Sequence, residues 1–382
     1  MVDVAVVGAG IAGLVAATRL VDAGLSCVVL EREERVGGRL SSHQAAAGRL
    51  DLGATWFWPG ETRVEALIVE LGVATHAQHL AGDAMYHARG GVQRLDGNPI
   101  DVASGRFTHG AASLTEGLAA RLGDIVSLDT AVHRIEHHDD AANDAANGAS
   151  DPNADRDADR AGEGDAERAG PLRVTHDGGS LIARHVVLAL PPSVAVTSIE
   201  FRPDLPDELV ALASATPVWM GNIAKVVAVY HDAFWRRHGL SGSAISHVGP
   251  LREIHDMSGV DAEPAALFGF VPLGPADPRP SERAIIEQLV EIFGHDAASP
   301  LEIVVKDWRD AAPATSPGAP SRSPMETYSH RAYQRPTGGG RIHWASTETA
   351  PDSAGHIEGA IAAAQRAVAT ITADPTGRWP SR

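Results

Sequence analysis

The sequence predicts an α/β protein whose main domain is built on a parallel sheet and is interleaved with a smaller, mixed-sheet domain. Three observations carry the prediction. Residues 4–31, VAVVGAGIAGLVAATRLVDAGLSCVVLE, read as strand, glycine turn, helix, strand and closing acid, which is one unit of a parallel sheet. Two alternating segments, SLDTAVHRIEHH and LRVTHDGGSLIARHVVLALPP, flank an acidic stretch and read as a small sheet entered and left by the chain. A chain of 382 residues with 44% apolar content is long enough to bury two cores.

Val2, Val4, Val6 and Val7 open the first unit as a short apolar strand. Gly8, Gly10 and Gly13 follow in the G-x-G-x-x-G pattern, where one glycine allows the tight turn, one admits a pyrophosphate against bare backbone and one lets helix and strand pack closely. Ile11, Leu14, Val15, Thr18 and Val21 recur at helical spacing, so the turn opens a helix whose amides and positive dipole end favour the pyrophosphate. Glu31 follows Gly13 by 18 residues, near the expected position for a carboxylate that accepts hydrogen bonds from a ribose diol and repels a 2'-phosphate. Together these features describe a Rossmann-type dinucleotide-binding domain.

The next segment, EREERVGGRLSSHQAAAGRLDLGATWFWPG, carries Glu31 into Arg32, Arg35, Gly37, Gly38 and Arg39 and resembles the flavin-dependent amine oxidase family. The resemblance implies FAD, with Arg32 beside it, Gly37 and Gly38 giving a second close backbone approach, and Arg35 and Arg39 supplying cationic donors near the phosphates. Further blocks follow in the family's order. DLGATWFWPGETRVEALIVELGVAT places Gly53, Ala54, Thr55 and Trp56 at ring-contacting positions; VVLALPP (186–192) is similar to a cofactor-domain strand; GNIAKVVAVYHDAFW (221–235) resembles the family's lysine-bearing strand. HWASTETAPDSAGHIEGAIAAAQRAVATI (343–371) resembles the closing strand, turn and helix. The resemblance further implies an adenine contact at Val132, a ribityl-phosphate contact at Glu348 and a ring contact at Ile357.

Bulk properties exclude several classes. A net charge of −17 argues against nucleic-acid binding, and ten acids against three arginines fall within residues 139–170, a stretch without large apolar residues that is expected to be a disordered surface insertion. No apolar run reaches 18 residues, and the single Cys27 cannot form an internal disulfide, so a cytoplasmic protein without a membrane anchor is expected. The FAD-binding domain is expected over 1–76, 110–215 and 320–382, and the substrate domain over 77–109 and 216–319.

A flavin carries the difficult redox step, so neither an acid–base triad nor a metal is called for. Lys225 shares one strand face with Ile223, Val227 and Val229, where burial lowers a lysine's pKa; the resemblance implies that it binds a water bridging to flavin N5 and assists reoxidation by O2. His356 takes the place of one ring of the family's aromatic cage, Trp308 resembles the tryptophan beside the flavin, and the loop 316–321 offers no second aromatic. Ala319 stands nearest to the cysteine of the family's covalent forms, so FAD is expected to be noncovalent, and Ser346 replaces a customary glycine. Residues 77–109 are short for the family's substrate domain. The expected reaction is hydride transfer from a carbon beside an amine nitrogen to flavin N5, with O2 reoxidation yielding hydrogen peroxide. The alternatives are a small flavin oxidase or desaturase acting on a dihydronicotinamide-type or other cyclic substrate, and a flavin-binding protein without turnover.

Overall fold

The computed structural model describes residues 1–46, 48–138, 170–311 and 323–373. The 316–321 loop and all but the last residue of the 139–170 stretch lie outside these. Contacts divide the chain into two units, one of Met1–Gly38, Leu118–Pro217 and Thr315–Arg382, the other of Arg39–Gly117 and Val218–Ala314. No helix among the described residues is long and apolar enough to cross a membrane.

In the first unit an eight-stranded sheet runs in the order Val126–Ser127, Cys27–Leu30, Val2–Val7, Gly179–Leu188, Leu172–His176, Val132–His137, Glu200–Arg202, with Ile342–Trp344 also paired to Gly179–Leu188. The pairs from Val126–Ser127 through Gly179–Leu188, and the pair to Ile342–Trp344, are parallel. Val4, Ala5 and Val6 lose all exposure, as strands covered on both faces must. The two alternating segments expected to make a separate small sheet instead extend this one. Gly179–Leu188 is ten residues long, so its first half pairs antiparallel with Leu172–His176 while its second half runs parallel to Val2–Val7. Helices Ile11–Asp22 and Ile357–Thr372 pack on each other, and their buried alanines, Ala12, Ala16, Ala360, Ala363 and Ala364 among them, permit a close approach of the axes.

The second unit holds a seven-stranded sheet in the order Glu302–Asp307, Ile223–Tyr230, Ala265–Pro272, Glu253–Asp256, Leu240–Ser246, Asp83–Ala88, Gly91–Arg94. Alternation along Ile223–Tyr230 decides what each face receives. Ala224, Val226, Ala228 and Tyr230 join Ile285, Leu289, Ile292 and Phe293 of helix Glu282–Phe293 in one core. Ser281 starts that helix, its Oγ accepting the Ala284 N–H at 3.2 Å. Val227 and Val229 face the opposite way, into a cluster with Ala45, Leu50, Leu52, Met257, Ala266 and Phe268.

That second cluster explains a difference from the expected boundaries. Residues 39–76, expected with the dinucleotide domain, sort with the second unit because hairpin Ser42–Ala45/Gly48–Asp51 and the residue after it bury Leu50 and Leu52 there, each contributing roughly 1.5–3 kcal/mol. Residues 110–117 follow, since the Ala111 N–H donates to Asp51 Oδ1 at 2.8 Å. The short 77–109 segment forms strands Asp83–Ala88, Gly91–Arg94 and Gly105–Phe107.

Candidate active site: the dinucleotide cradle and the lysine face

Steric exclusion shapes the glycine turn. An added Cβ would stand 2.9 Å from Ala189 O at Gly8, where φ is +101°, and 1.9 Å from Gly8 O at Gly13. Gly10 is different: with φ −71° its Cβ would meet nothing within 4 Å. The open side of Gly10 lies at the start of helix Ile11–Asp22, whose ladder begins with Leu14 N–H donating to Gly10 O at 3.0 Å, so the preceding amides have no intrahelical partner. The second glycine pair lies against this turn. Gly37 N–H donates to Ala9 O at 2.9 Å, and a Cβ on Gly38 would find only Gly10 Cα, at 3.8 Å. A bare-backbone cradle at a helix N-terminus fits the phosphates of a dinucleotide.

Glu31, 8% exposed at the end of strand Cys27–Leu30, accepts from Ala9 N–H through Oε2 at 2.6 Å and from Glu33 N–H through Oε1 at 3.0 Å. Its carbonyl accepts from Thr130 N–H at 2.7 Å, which ties Glu31 to the segment entering the strand of Val132, itself 7% exposed. The side chains of Arg32 and Arg35 make local contacts. Arg35 turns onto its own loop, donating to Val36 O and Gly38 O at 3.1 Å each, and Arg32 pairs with Glu33 at 3.0 Å, both in exposed positions. Arg39 belongs to the second unit, where its carbonyl would lie 1.8 Å from a Cβ on Gly53.

At the closing block, Glu348 is fully buried in the turn Thr347–Thr349, and Ile357 is buried where helix Ile357–Thr372 starts. Thr347 joins the two: its Oγ1 accepts from Gly355 N–H at 2.8 Å and donates to His356 O at 2.9 Å. The His356 side chain is exposed. Ser346 Oγ is buried and has no hydrogen-bond partner among the described residues, as a side chain added beside a tight turn would be. Sequence reasoning missed Arg366, whose guanidinium holds the Thr349 carbonyl at 2.6 Å and the Trp344 carbonyl; burial pulls its pKa to about 10.

In the second unit Lys225 is 1% exposed. Its Nζ donates to Gly53 O at 3.1 Å and bonds Thr55 Oγ1, and it lies 4.2 Å from the Phe268 ring centroid. Burial pulls it to about 7, with Asp51 opposing and Arg106 reinforcing the fall. Asp51 is 1% exposed and accepts from Ser42 Oγ and Ala111 N–H at 2.8 Å each; burial raises its pKa against the pull of Lys225 and Arg106. Ala54 N–H donates to Arg39 O at 3.0 Å, which fixes the Gly53–Thr55 segment. Trp56 Nε1 donates to Gln78 Oε1 at 2.9 Å, with its ring 5.2 Å from Phe268. Trp308, 7% exposed, donates to Leu52 O at 3.0 Å. The fold thus gathers Gly53, Ala54, Thr55, Trp56, Lys225 and Trp308 on one side of the seven-stranded sheet.

A second polar group on this face was not read from sequence. His255 is 3% exposed, with Nδ1 2.5 Å from Asp101 Oδ1 and Nε2 3.0 Å from Glu253 Oε1. Although burial lowers it, the two carboxylates raise His255 above its ordinary value; Asp101, despite burial, and Glu253 lie below theirs through their bonds to the ring. Asp101 and His255 are 154 residues apart, so no local pattern announces the pair.

The model of the flavin containing amine oxidoreductase family matches residues 102–372, and that of an NAD(P)-binding Rossmann-like domain matches residues 6–71. A Mycobacterium tuberculosis protein named a flavin-containing monoamine oxidase is 29% identical over 478 residues, covering 97% of each chain. That alignment is longer than this chain, so it bridges segments that this chain lacks. The putrescine oxidase of Kocuria rosea is 28% identical, covering 97% of this chain and 95% of its own. The solved structure of cyclohexylamine oxidase from Brevibacterium oxydans superposes with a TM-score of 0.77 at 23% identity, covering 97% of this chain and 98% of its own. A family match over most of the sequence, joined to the glycine cradle and the lysine face, places the chain in the flavin-containing amine oxidoreductase family.

Proposed function

We propose that this chain is an FAD-dependent amine oxidase that holds FAD noncovalently, takes a small amine and uses O2 as acceptor. Bound FAD would supply a two-electron acceptor for the hydride on the carbon beside the amine nitrogen, so that a neutral amine would leave as a protonated imine, and O2 with a proton would take the two electrons as hydrogen peroxide. Gly10 and Gly38 would hold the phosphates on bare backbone, in a turn that Gly8 and Gly13 allow to pack, with Glu31 on the ribose, Val132 on the adenine and Glu348 at the ribityl-phosphate region. Gly53, Ala54, Thr55 and Trp56 would line the ring. The relatives' named substrates, putrescine and cyclohexylamine, support an amine.

The observation that carries the reading is Lys225. A buried ammonium is costly without partners. Among the described residues its hydrogen-bond partners are Gly53 O and Thr55 Oγ1, so a protonated Nζ keeps one N–H to orient a water. Burial pulls Nζ down to about 7, well below an ordinary lysine, so its neutral form is accessible. His356 guides the neutral amine, and Trp308, pinned through Leu52 O, keeps a wall rigid. Cys27, the one cysteine, is buried with its thiol pushed up to about 12, and so is protonated and unreactive, which supports noncovalent FAD.

Purified protein is expected to be yellow, to release all its FAD on acid precipitation, and to bleach anaerobically with an amine but not with NADH. Flavin remaining in the acid pellet would overturn noncovalent binding, and bleaching by NADH alone would overturn the amine.

A further inference from the structure

Lysine is nearly absent from this chain. Of its 32 Lys and Arg residues only Lys225 and Lys306 are lysines, and the pairing of Ile223–Tyr230 with Glu302–Asp307 sets them opposite each other. Arginine keeps its proton in a protein, so these two are the side-chain ammoniums that can give one up. Lys306 turns its Nζ over the Trp308 ring, 5.3 Å from the centroid, whereas Lys225 is buried.

One short segment brings two further charges to Lys225. Gly53 O and Thr55 Oγ1 grip Nζ; Asp51 stands two residues before the first, and Trp56, directly after the second, is the register partner of Arg106. Asp51 and Arg106 are 1% and 4% exposed, and neither they nor Lys225 make an ion pair among the described residues. Neutral groups hold them instead. Asp51 Oδ1 accepts from Ser42 Oγ and Ala111 N–H, and Arg106 Nη1 donates to Ser258 O at 3.3 Å and Asp256 O at 3.5 Å, while its Nε has no partner among the described residues. The other charges nearby are committed: Asp256 to Arg236, Trp235 Nε1 and Ser258 N–H, Glu253 to His255, and Glu302 to His43 at 2.8 Å. The buried set is therefore one acid and two bases. It is electroneutral when Asp51 is ionised, Arg106 protonated and Lys225 a free amine; an ammonium at 225 adds an uncompensated charge, which burial disfavours.

We propose that Asp51 and Arg106 are positioning residues for the proton of Lys225: acting through space and in opposite senses, the carboxylate favours the ammonium and the guanidinium the free amine, and their balance sets which form is present during flavin reoxidation. The inference rests on the amine-oxidase reading for the use of the lysine. A direct salt bridge would fix the proton on Lys225, whereas charges held apart by neutral partners leave it exchangeable. The fall of Lys225 through burial, opposed by Asp51 and reinforced by Arg106, has the same signs.

Because the chain has only two lysines, isotope-labelled lysine gives two side-chain NMR signals in the FAD-loaded protein, and Lys225→Met tells them apart. In wild type the Lys225 signal is expected to titrate at about 7. Asp51→Asn keeps the size of the side chain and its acceptor for Ser42 and Ala111, and should move that titration down by about one pH unit or more; Arg106→Gln should move it up by a smaller amount, with Lys306 unmoved in both. The pH profile of reoxidation by O2, after photochemical reduction that needs no amine, should shift in the same directions. General loosening of the fold would not split the two variants in sign. Titrations that stay in place or move the same way overturn the proposal, as does a reoxidation profile that stays put while the titration moves. If Arg106→Gln does not fold, the near-isosteric Asp51→Asn decides by itself. Should no amine reduce the wild type, the amine-oxidase reading fails, and the titrations and the photoreduced protein still decide for or against the charge balance.

Discussion

The glycine turn and the lysine face solve opposite problems. At Gly8 and Gly13 packing leaves no room for a side chain, and at Gly10 and Gly38 the space beside the backbone stays open; at Lys225 an ionisable side chain is kept where burial opposes its charge. The first is encoded by adjacent residues and enforced by sterics. The second is assembled from Asp51, Gly53, Thr55, Arg106 and Lys225, scattered over 175 positions of the chain, and is held by electrostatic compensation. Clash is absolute and local, whereas charge compensation is graded and collective.

Substitutions within the turn give the largest expected effect and separate two kinds of glycine. Gly13→Ala forces a Cβ to 1.9 Å from Gly8 O, and should destabilise the fold by about 3 kcal/mol or more, read as a lower urea midpoint. Gly10→Ala has room and an ordinary φ and loses only the preference for glycine at the helix N-cap, so folding stability should fall by about 1 kcal/mol while FAD is lost on gel filtration. Equal destabilisation by the two would erase the distinction.

The lysine gives the next effect, and its sign depends on pH. Lys225 is pulled from 10.5 to about 7 in the folded chain, so between those values the unfolded chain binds more protons. Through this group stability rises with pH across that window, and below about pH 7 the full penalty remains. Lys225→Met should therefore be more stable than wild type in apo form at pH 6, with the gain shrinking toward pH 10, while reoxidation of its reduced flavin by O2 slows. A stability difference independent of pH would mean that the lysine is not desolvated. The smallest effect belongs to Trp308→Phe, which removes the bond to Leu52 O and should cost about 1 kcal/mol in the melting transition.

What the sequence made legible follows the same division. The strand–turn–helix–strand–acid pattern of residues 4–31 folds as read, and alternation along residues 223–229 correctly placed Lys225 with Val227 and Val229. Periodicity is a local signal, and both features are local. The allegiance of residues 39–76 was not legible, because Leu50 and Leu52 are apolar in any partnership and only the fold reveals that the partners are Val227 and Phe268. Arg366 and the pair Asp101–His255 escaped for a related reason: a buried polar group is recognised by its partner, and these partners are distant in sequence. Arg35 shows the converse, since a basic residue in the expected motif bonds its own loop.

The most direct measurement is an anaerobic spectral titration of the freshly purified protein with a primary amine, followed by admission of air. The account predicts a bound flavin spectrum that bleaches stoichiometrically and returns with one hydrogen peroxide per amine oxidised, the return being slowed in Lys225→Met. Protein that binds FAD but keeps its full flavin absorbance with every amine, or that reoxidises equally fast without the lysine, would contradict it.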